Sequence, residues 1–307
     1  MKILMTGITG FIGQHLGERL INDGHEVFAI VRPTSKIAEL SENLRRNVKC
    51  YAYDNNNSVL NIINKICVST QTGGGGRTPF VVYHLAANSL NAHKFEDIQA
   101  LIQSNITFGT EILEAMVANN IYNFVNVGSY FQHFDNAEYS PVNLYAATKE
   151  SFSAIVKYYV EVRNLKCIEL QLVNTYGADD KRGKIFGLLK KISETGEKLK
   201  MSPGKQFFDI VYIDDVIEAF ILAGKYLSES KYEHCGTYGV SSTNPISLRE
   251  VVKIFENVAG KNFSIEWGGR PYQNREIMNP WNSYKLLPGW QPKIPLHEGI
   301  KKFLEQN

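Results

Sequence analysis

The sequence is poor in the patterns that mark metal sites, disulfide frameworks and membrane spans. It has only four cysteines, Cys50, Cys67, Cys167 and Cys235, with no Cys-x-x-Cys pair and no cluster of histidines beside them. Neither a zinc site nor a disulfide framework is therefore predicted, no metal is expected, and the reducing cytoplasm is the expected location. No apolar run approaches the roughly 20 residues that a membrane-spanning helix needs, so no membrane association is expected.

The sequence also lacks the patterns typical of a signal peptide and of a nucleic-acid-binding surface. Glycines interrupt the apolar start MKILMTGITGFIG, and no small-residue cleavage site follows it, so no signal peptide is predicted. The 33 Lys and Arg residues are balanced by 31 Asp and Glu residues, and no basic stripe accompanies the aromatic residues, so nucleic acid is not an expected partner. A chain of 307 residues, 44% of them hydrophobic, is long enough for a large core with a smaller lobe.

What the chain does contain is an alternation of short apolar runs with longer amphipathic segments. The apolar runs predict buried strands: KILMTG, EVFAIV, VKCYAY, FVVYHLAA, NFVNVGS and CIELQLVN. Amphipathic segments at 11–22, 97–119, 145–163 and 185–195 predict helices. Strands that alternate with helices predict an α/β fold with a doubly wound parallel sheet covered on both faces. The segment TQTGGGGRTP at 70–79 is interpreted as a surface connection, because no strand leads into it and no Lys-Ser/Thr follows.

The alternation weakens after residue 174, which predicts two domains. Residues 1–174 are expected to form a dinucleotide-binding, Rossmann-like domain, to which 208–228 returns. Residues 175–307 are expected to form a smaller C-terminal substrate-binding lobe, which closes over the carboxyl edge of the sheet where ligands of such sheets bind.

A glycine motif follows the first predicted strand. MTGITGFIG places Gly7, Gly10 and Gly13 between a strand and a helix, with Phe11 and Ile12 at the helix start. The first glycine permits a tight turn, the second lets a pyrophosphate approach the backbone, and the third lets helix and strand pack closely. Three turn glycines without a ligand are the alternative, but the strand and helix that the motif requires are both present. We therefore predict that this segment binds a dinucleotide.

The end of the second predicted strand bears on which dinucleotide is bound. In AIVRPTSK, Arg32 stands where an NAD-binding chain usually has an acid for the ribose hydroxyls. A guanidinium forms charge-assisted hydrogen bonds with a 2′-phosphate, whereas an acid would repel it. NADP(H) is therefore the expected cofactor and NAD(H) the alternative, in which case Arg32 is only a surface cation.

Further motifs occur in a fixed order, and together they carry a family resemblance. Asp54 follows the third strand, Leu85-Ala86-Ala87 ends the fourth, Asn105 begins the helical motif NITFGT, and Ser129 ends the fifth. Tyr145-x-x-x-Lys149, LVNTYG with Asn174, VYIDDV and LPGWQP follow. This set resembles the extended short-chain dehydrogenase/reductases of the nucleotide-sugar epimerase/dehydratase family over nearly the whole length. The resemblance implies catalysis by Ser129, Tyr145 and Lys149, a cofactor site that includes Asp54, Leu85, Ala86, Ala87, Asn105 and Lys149, and a homodimer formed by helices 97–119 and 145–163.

The chemistry explains the types of the three catalytic residues. A carbonyl that accepts a hydride also needs a proton, and a free tyrosine with a pKa near 10 holds its proton too tightly to act as a base. A shift to about 7 requires roughly 4 kcal/mol of phenolate stabilisation, which a nearby ammonium helps to supply. The spacing of four puts Lys149 on the helix face of Tyr145. Ser129 is expected to bind the reacting oxygen; the alternative is a cap on the strand end.

The two residues after Ser129 indicate which reaction of the family this chain is expected to catalyse. Hexose dehydratases of this family place an Asp-Glu pair there, whereas Tyr130 and Phe131 follow here, and neither is a carboxylic acid. Dehydration is therefore disfavoured. Arg32 favours a reductase over an epimerase, and the run SYFQHF…SPVNLYAATKESF resembles bacterial nucleotide-sugar reductases of the CDP-abequose and CDP-paratose synthase kind. These reduce the C4 ketone of a 4-keto-6-deoxy or dideoxy sugar for lipopolysaccharide O-antigen and other cell-surface polysaccharides. An NAD-dependent nucleotide-sugar 4-epimerase and a catalytically inactive NADP-binding regulatory protein are the alternatives.

The resemblance also implies a set of residues for the nucleotide-sugar substrate. Asn174 matches a family residue that binds the sugar nucleotide, and Arg275 matches one that grips the diphosphate. A second family arginine is replaced by Phe208 in QFFDIVYIDD. Arg275 is therefore expected to hold the diphosphate with help from Lys181, Arg182 or Lys184, and the alternative is that the ligand differs from the usual one. His133 is a further candidate for a sugar hydroxyl, although a lone loop histidine is more often incidental. Trp290 is interpreted as a packing residue.

Overall fold

A seven-stranded sheet forms the centre of the protein. The computed structural model describes residues 1–54, 56–69 and 80–305, so the predicted connection at 70–79 lies outside the described residues. In chain order the strands are β1 (Lys2–Thr6), β2 (Glu26–Val31), β3 (Val48–Ala52), β4 (Phe80–His84), β5 (Asn123–Ser129), β6 (Lys166–Leu172), β7 (Asn174–Tyr176), β8 (Leu199–Met201), β9 (Phe207–Phe208), β10 (Ile210–Tyr212), β11 (Gly236–Val240), β12 (Ile246–Ser247) and β13 (Ile265–Trp267).

The order of the strands is that of a doubly wound sheet. The sheet runs β3-β2-β1-β4-β5-β6-β11, and each of its pairs is parallel. The order reverses between β1 and β4, so a crevice opens at their carboxyl ends, next to the predicted glycine motif. The predicted doubly wound α/β fold is confirmed.

Helices occur at each of the four predicted amphipathic segments, and further helices occur that were not predicted. The helices are α1 (Phe11–Asn22), α2 (Glu42–Asn47), α3 (Val59–Ser69), α4 (Ile98–Ile102), α5 (Phe108–Ala118), α6 (Leu144–Arg163), α7 (Ile185–Thr195), α8 (Ile213–Ser228), α9 (Leu248–Ala259) and α10 (Leu296–Glu305). A π-helical turn, Gln103–Thr107, joins α4 to α5 within the single helix predicted at 97–119. Within the described residues, no helix has the length and apolar character required to cross a membrane.

Alternate residues of each strand bury into two different cores. Ile3, Val27 and Tyr83 face the core that contains α1 and α8, and Leu4, Phe28 and Val82 face the core that contains α3, α5 and α6. Because side chains alternate across a strand, near-continuous apolar runs are what a sheet covered on both faces requires.

Asn143 fixes the start of α6, the helix of the predicted catalytic pair. Its Oδ1 accepts a hydrogen bond of 2.9 Å from the Ala146 backbone N–H, which satisfies one of the free donors of the first turn. The helix ends at Asn164, whose φ of 58° is left-handed. Asn143 therefore sets the first turn, on which Tyr145 lies, directly after the helix start.

The chain crosses more than once between the sheet and the C-terminal lobe. Helix α8 packs on β4, β5 and β6, and β11 then extends the sheet beside β6. The short strands β8, β9, β12 and β13 pair with one another outside the main sheet. Strand β11 was not among the predicted strands, and the division at residue 174 remains a prediction.

A buried carboxylate fastens the end of the chain to α8. Asp215 accepts the backbone N–H groups of Lys293 and Ile294 at 3.0 and 2.8 Å, and the Trp290 indole donates to the Asp215 carbonyl at 2.9 Å. Trp290 is buried, which agrees with its interpretation as a packing residue.

Candidate active site

The glycine motif forms a tight turn from β1 into α1. Gly7 has a left-handed φ of 76°, and its carbonyl accepts the Gly10 N–H at 3.0 Å. A Cβ atom on Gly7 would lie 2.7 Å from the Ala86 backbone nitrogen, and one on Gly13 would lie 2.1 Å from the Gly7 oxygen. Larger residues therefore do not fit at either position without displacing backbone. The N-terminus of α1 is left open to an anion, as dinucleotide binding requires.

A cavity of about 510 Å³, here called the Arg32 cavity, lies on one side of this turn. It is lined by Gly7, Ile8, Thr9, Gly10, Ile30, Val31, Arg32, Ser35, Tyr53, Leu85, Ala86, Ala87, Ala100, Gln103, Ser104 and Phe108. Its shape and apolar walls suit an adenosine, with Thr9 and Gly10 at the turn where a pyrophosphate would follow.

The polar end of the Arg32 cavity is basic. A turn at the end of β2 holds Arg32: its N–H donates to Ser35 Oγ at 3.0 Å, and its carbonyl accepts the Ser35 N–H at 2.9 Å. The Arg32 side chain is exposed. Among the described lining residues of this cavity none is a carboxylate. The residues present therefore fit a phosphate-bearing ribose better than one held by an acid.

A second cavity, of about 280 Å³, is here called the Tyr145 cavity. It is lined by Gly7, Gly10, Phe11, Ile12, Gly13, Leu85, Ala87, Ser89, Asn91, Val127, Gly128, Ser129, Tyr130, Phe131, Tyr145, Lys149, Leu172, Val173, Asn174, Thr175, Arg182 and Lys184. Gly7, Gly10, Leu85 and Ala87 line both cavities. The two cavities are thus adjoining parts of one groove along the carboxyl edge of the sheet.

Ser129 has a structural contact as well as a place beside Tyr145. Its Oγ accepts the Phe131 N–H at 3.3 Å, and its own N–H donates to Gln132 Oε1 at 2.8 Å. Ser129 and Tyr145 also line the same cavity, and Ser129 lowers the pKa of the Tyr145 hydroxyl. The strand-end cap and the interaction with the reacting group are therefore compatible, because one rigid turn supports both.

The protonation of Tyr145 and Lys149 is set mainly by burial. Burial raises the pKa of Tyr145 to about 12, opposite in direction to the expected shift towards 7, and the interaction with Ser129 opposes this rise. Burial lowers the pKa of Lys149 to about 8, and the negative charge of Glu169 opposes this fall. The tyrosine is therefore protonated at neutral pH, when most of Lys149 still carries its charge. This pair is arranged to donate a proton to an oxygen in the cavity.

A family model described as the NAD dependent epimerase/dehydratase family matches residues 3–235. The chain belongs to this family. Among curated proteins, CDP-abequose synthase of Salmonella muenchen is 29% identical over 310 residues, covering 99% of this chain and 97% of that protein. UDP-glucuronate 4-epimerase of Thermodesulfobacterium geofontis is 27% identical over 320 residues, covering 97% and 94%. The predicted family is confirmed, and the chain is an enzyme of the NAD-dependent epimerase/dehydratase family.

Solved structures of epimerases share the fold. The UDP-glucose 4-epimerase of Thermotoga maritima, solved with UDP-glucose, has a TM-score of 0.82 at 22% identity and covers 99% of this chain and 98% of its own. The UDP-glucuronic acid 4-epimerase of Bacillus cereus, solved with UDP-glucuronic acid and NAD, has a TM-score of 0.81 at 22% identity, with the same coverage. At these identities the similarity establishes the fold alone.

Two cofactor residues that the family resemblance implied lie outside both cavities. Asn105, in the π-helical turn, is buried, and it joins the backbone of Asn88 to Thr148 of α6 through hydrogen bonds of 2.7 to 2.9 Å. Asp54 is exposed and caps its own turn by accepting the Asn56 N–H at 2.9 Å. The structure thus gives Asn105 a role in fixing the loop after β4 against α6. It brings Tyr53 rather than Asp54 to the Arg32 cavity.

Besides Arg182, two of the predicted substrate residues line the Tyr145 cavity. Asn174 and Lys184 line the Tyr145 cavity, where Asn174 Nδ2 donates to the Tyr130 hydroxyl at 3.0 Å. Lys184 is exposed to solvent, but protein atoms surround much of its side chain. This partial burial and the Arg182 charge lower the pKa of Lys184 to about 8. Both residues are therefore available to a ligand in the cavity.

His133 and Arg275 are not part of the described cavity lining, which differs from the prediction. One ring nitrogen of His133 lies 2.8 Å from the Glu138 carbonyl oxygen and the other lies 2.7 Å from Gln171 Oε1. The ring also stacks on Trp281. Both nitrogens are thus occupied, and His133 acts as a structural residue in this arrangement. Arg275 stacks on Phe134 and donates to Ser140 Oγ at 2.6 Å.

Sequence analysis did not select several residues that line the groove. They include Tyr53, Gln103 and Ser104 in the Arg32 cavity, and Ser89 and Asn91 in the Tyr145 cavity, whereas Arg182, a candidate for the diphosphate, does line the Tyr145 cavity. Ser89 and Asn91 directly follow the strand-end motif HLAA, and this position was the available signal. Arg182 lies over the Phe11 ring at 4.2 Å and is paired with Asp180. The contact with Phe11 joins distant segments of the chain, and no local pattern indicates it.

Proposed function

We propose that this protein reduces the C4 ketone of a nucleotide-activated 4-keto-6-deoxy or dideoxy sugar with NADPH, for precursors of cell-surface polysaccharides. The observation that carries the proposal is the Arg32 cavity, whose described lining holds an arginine and no carboxylate at the end of β2. NADPH is the usual donor of reductive steps, whereas epimerases of this family recycle a bound NAD. The similarity to CDP-abequose synthases over the full length supports the same direction.

The proposed reaction adds one hydride and one proton to the ketone. When bound, the reduced nicotinamide supplies the hydride to C4. Tyr145 donates its hydroxyl proton to the carbonyl oxygen, which becomes the alcohol oxygen. Ser129 holds that oxygen by a hydrogen bond, and the Lys149 ammonium stabilises the phenolate left on Tyr145. A tyrosine pKa of about 12 suits this direction, because the group begins the step as an acid.

We propose that the Tyr145 cavity holds the sugar nucleotide. Lys184 and Arg182 give its rim a positive charge, and Asn174 offers an amide between that rim and Tyr145. We propose that these residues bind the diphosphate in place of the family arginine replaced by Phe208. The Arg182 charge is partly compensated by Asp180, so Lys184 supplies the uncompensated cation among the described lining residues. Tyr130 and Phe131 line the wall beside Ser129, and no carboxylic acid is among the described lining residues. This wall supports reduction over loss of a hydroxyl.

Two alternative functions remain to be separated from this proposal. A 4-epimerase is favoured by the similarity to the UDP-glucuronate 4-epimerase, which is nearly as high as that to the CDP-abequose synthases. A catalytically inactive NADP-binding regulatory protein is disfavoured by the joint presence of Ser129, Tyr145 and Lys149 in one cavity.

A homodimer in the cytoplasm is part of the same proposal. Helix α6 buries Phe152, Val156 and Tyr159 in the core and leaves Tyr158 and Val162 exposed. An exposed apolar stripe on a helix suits contact with a second copy.

The test is a comparison of two reactions in one purified protein. NADPH consumption is followed with CDP-, dTDP-, GDP- and UDP-linked 4-keto-6-deoxy sugars, and epimerisation of UDP-glucose and UDP-glucuronate is followed by NMR. Tyr145→Phe should lose the reaction, and Tyr139→Phe, an exposed tyrosine outside both cavities, should retain it. Epimerisation without NADPH consumption would establish the epimerase. Cofactor binding without either reaction would favour the regulatory protein.

A further inference from the structure

Gln132, three residues after Ser129, has a polar side chain that is completely buried. It ends the short helical turn Tyr130–Gln132 that follows β5, and it is 0% exposed. A buried amide destabilises the fold unless both its oxygen and its nitrogen find hydrogen-bond partners. Gln132 is not among the described lining residues of either cavity, so it does not reach a ligand there directly. The partners of its amide therefore indicate what the side chain does.

Both ends of the Gln132 amide are hydrogen-bonded, and they join two different elements. Its Oε1 accepts the Ser129 backbone N–H at 2.8 Å, at the end of β5. Its Nε2 donates to Glu150 Oε2 at 2.6 Å, on α6. These partners fix the orientation of the amide, because a peptide N–H only donates and an ionised carboxylate only accepts. The side chain thus forms a bridge from the Ser129 peptide group to α6, here called the Gln132 bridge.

The backbone on both sides of the Gln132 bridge supports the same connection. The Phe131 carbonyl accepts the Val142 N–H at 2.9 Å, and the residue after Val142 is Asn143, which caps α6. On the strand side, a Cβ atom on Gly128 would lie 3.1 Å from Gln132 Oε1, so the glycine leaves room for the amide. The turn after β5 and the start of α6 are therefore joined through backbone as well as through the side chain.

We propose that Gln132 is a positioning residue, which ties Ser129 to the helix that carries Tyr145 so that both hydroxyls reach one substrate oxygen. Ser129 ends β5 and Tyr145 lies in the first turn of α6, so two separate elements must keep a fixed distance. A displacement of about 1 Å between reacting groups can cost about a hundredfold in rate. This role rests on the proposed function of Ser129 and Tyr145, and it applies to reduction and to epimerisation alike.

A kinetic double-mutant cycle separates positioning from a merely structural role. Gln132→Met removes both hydrogen bonds of the amide and keeps a side chain of similar size. It should lower kcat about ten- to a hundredfold with little change in KM, because misplacement affects proton transfer more than substrate binding. In the Ser129→Ala background it should change kcat less than about threefold, because the hydroxyl that it positions is already absent. Equal losses in the two backgrounds would overturn the proposal.

An exchange of donor and acceptor tests the bond to α6. Gln132→Glu alone places two carboxylates together and should lower kcat. Combined with Glu150→Gln, it should recover most of that loss, because a carboxylate oxygen then accepts the Ser129 N–H and the new amide on α6 donates to the other oxygen. Gln291→Met, which replaces an exposed glutamine outside both described cavity linings, should keep the wild-type kcat. A double variant no more active than Gln132→Glu would contradict the bridge.

Amide hydrogen exchange tests the Gln132 bridge without any substrate. In Gln132→Met the Ser129 N–H has lost its acceptor, so it should exchange at least about tenfold faster, as read by mass spectrometry on overlapping peptides. Unchanged exchange would overturn the inference. If Gln132→Met does not purify as a folded protein, Glu150→Met breaks the bridge at a half-buried position and makes the same two comparisons. Faster exchange in a protein that turns over none of the substrates supports the bridge and contradicts only the proposed function.

Discussion

Removing the Arg32 guanidinium should weaken NADPH binding without affecting NADH. The side chain lies at the end of β2 in a cavity lining that has no described carboxylate, so only a cofactor with a phosphate on the adenosine ribose gains from it. Hydrogen bonds to a charged group contribute about 1.5–3 kcal/mol. At about 1.4 kcal/mol per decade, Arg32→Ala should raise the Kd of NADPH about ten- to a hundredfold. Because the side chain is exposed, added salt should reduce the difference.

The assay is a set of equilibrium titrations of NADPH and NADH against wild type, Arg32→Ala and Arg32→Asp. Arg32→Asp should reverse the preference, because a carboxylate repels the phosphate and can accept from ribose hydroxyls. Arg46→Ala, an exposed arginine paired with Glu42, is the matched control and should change neither Kd. If wild type binds NADH at least as tightly as NADPH, or purifies with NAD held in place, Arg32 is a surface cation. In that case the proposed reductase function is wrong, and a 4-epimerase replaces it as the proposed function.

Three further outcomes are expected. Tyr145→Phe should abolish turnover while NADPH binding changes little, because only the proton donor is lost; a variant that keeps most of its kcat would contradict the assignment. Gly13→Ala should lower cofactor affinity at least tenfold and cost about 1–3 kcal/mol in urea unfolding, since the added Cβ would lie 2.1 Å from the Gly7 oxygen; unchanged binding would show that the turn adapts. Light scattering should give twice the 34.7 kDa chain mass for wild type and the chain mass for Tyr158→Glu, and a monomeric wild type would refute the α6 interface.

The sheet was predictable because five of its first six strands, all but the edge strand β3, are buried along most of their length. A run such as EVFAIV has apolar side chains on both faces of a strand, so neither face is expected to contact solvent. The confirmed strand Glu26–Val31 coincides with that run. Strand β11, with the sequence GTYGV, was not predicted. Two glycines weaken its pattern, and it gains its stability by pairing with β6, a segment far away in the chain.

The site was predictable where a local motif fixes the geometry, as at Gly7 and in the Tyr145–Lys149 pair. Prediction was weaker where contacts between distant segments decide the position of a side chain. Arg275 matches a family position, yet in the structure it is held by Phe134 and Ser140. Glu169 in the run CIELQLVN was not selected as a site residue. Alternation places its side chain on one face of β6, but the run does not indicate its hydrogen-bond partners Asn126 on β5 and Ser153 on α6.

The late position of β11 bears on how the protein is made. During synthesis, β6 emerges from the ribosome well before its neighbour β11, and α8, which covers the sheet beside β5 and β6, also follows only after the first short strands of the lobe. Until then, apolar side chains such as Tyr83 and Val125 have no helix α8 to bury them, and one edge of β6 offers unpaired backbone groups. A fragment that ends at residue 174 should therefore collect in inclusion bodies. Completion of the fold must wait for the second half of the chain.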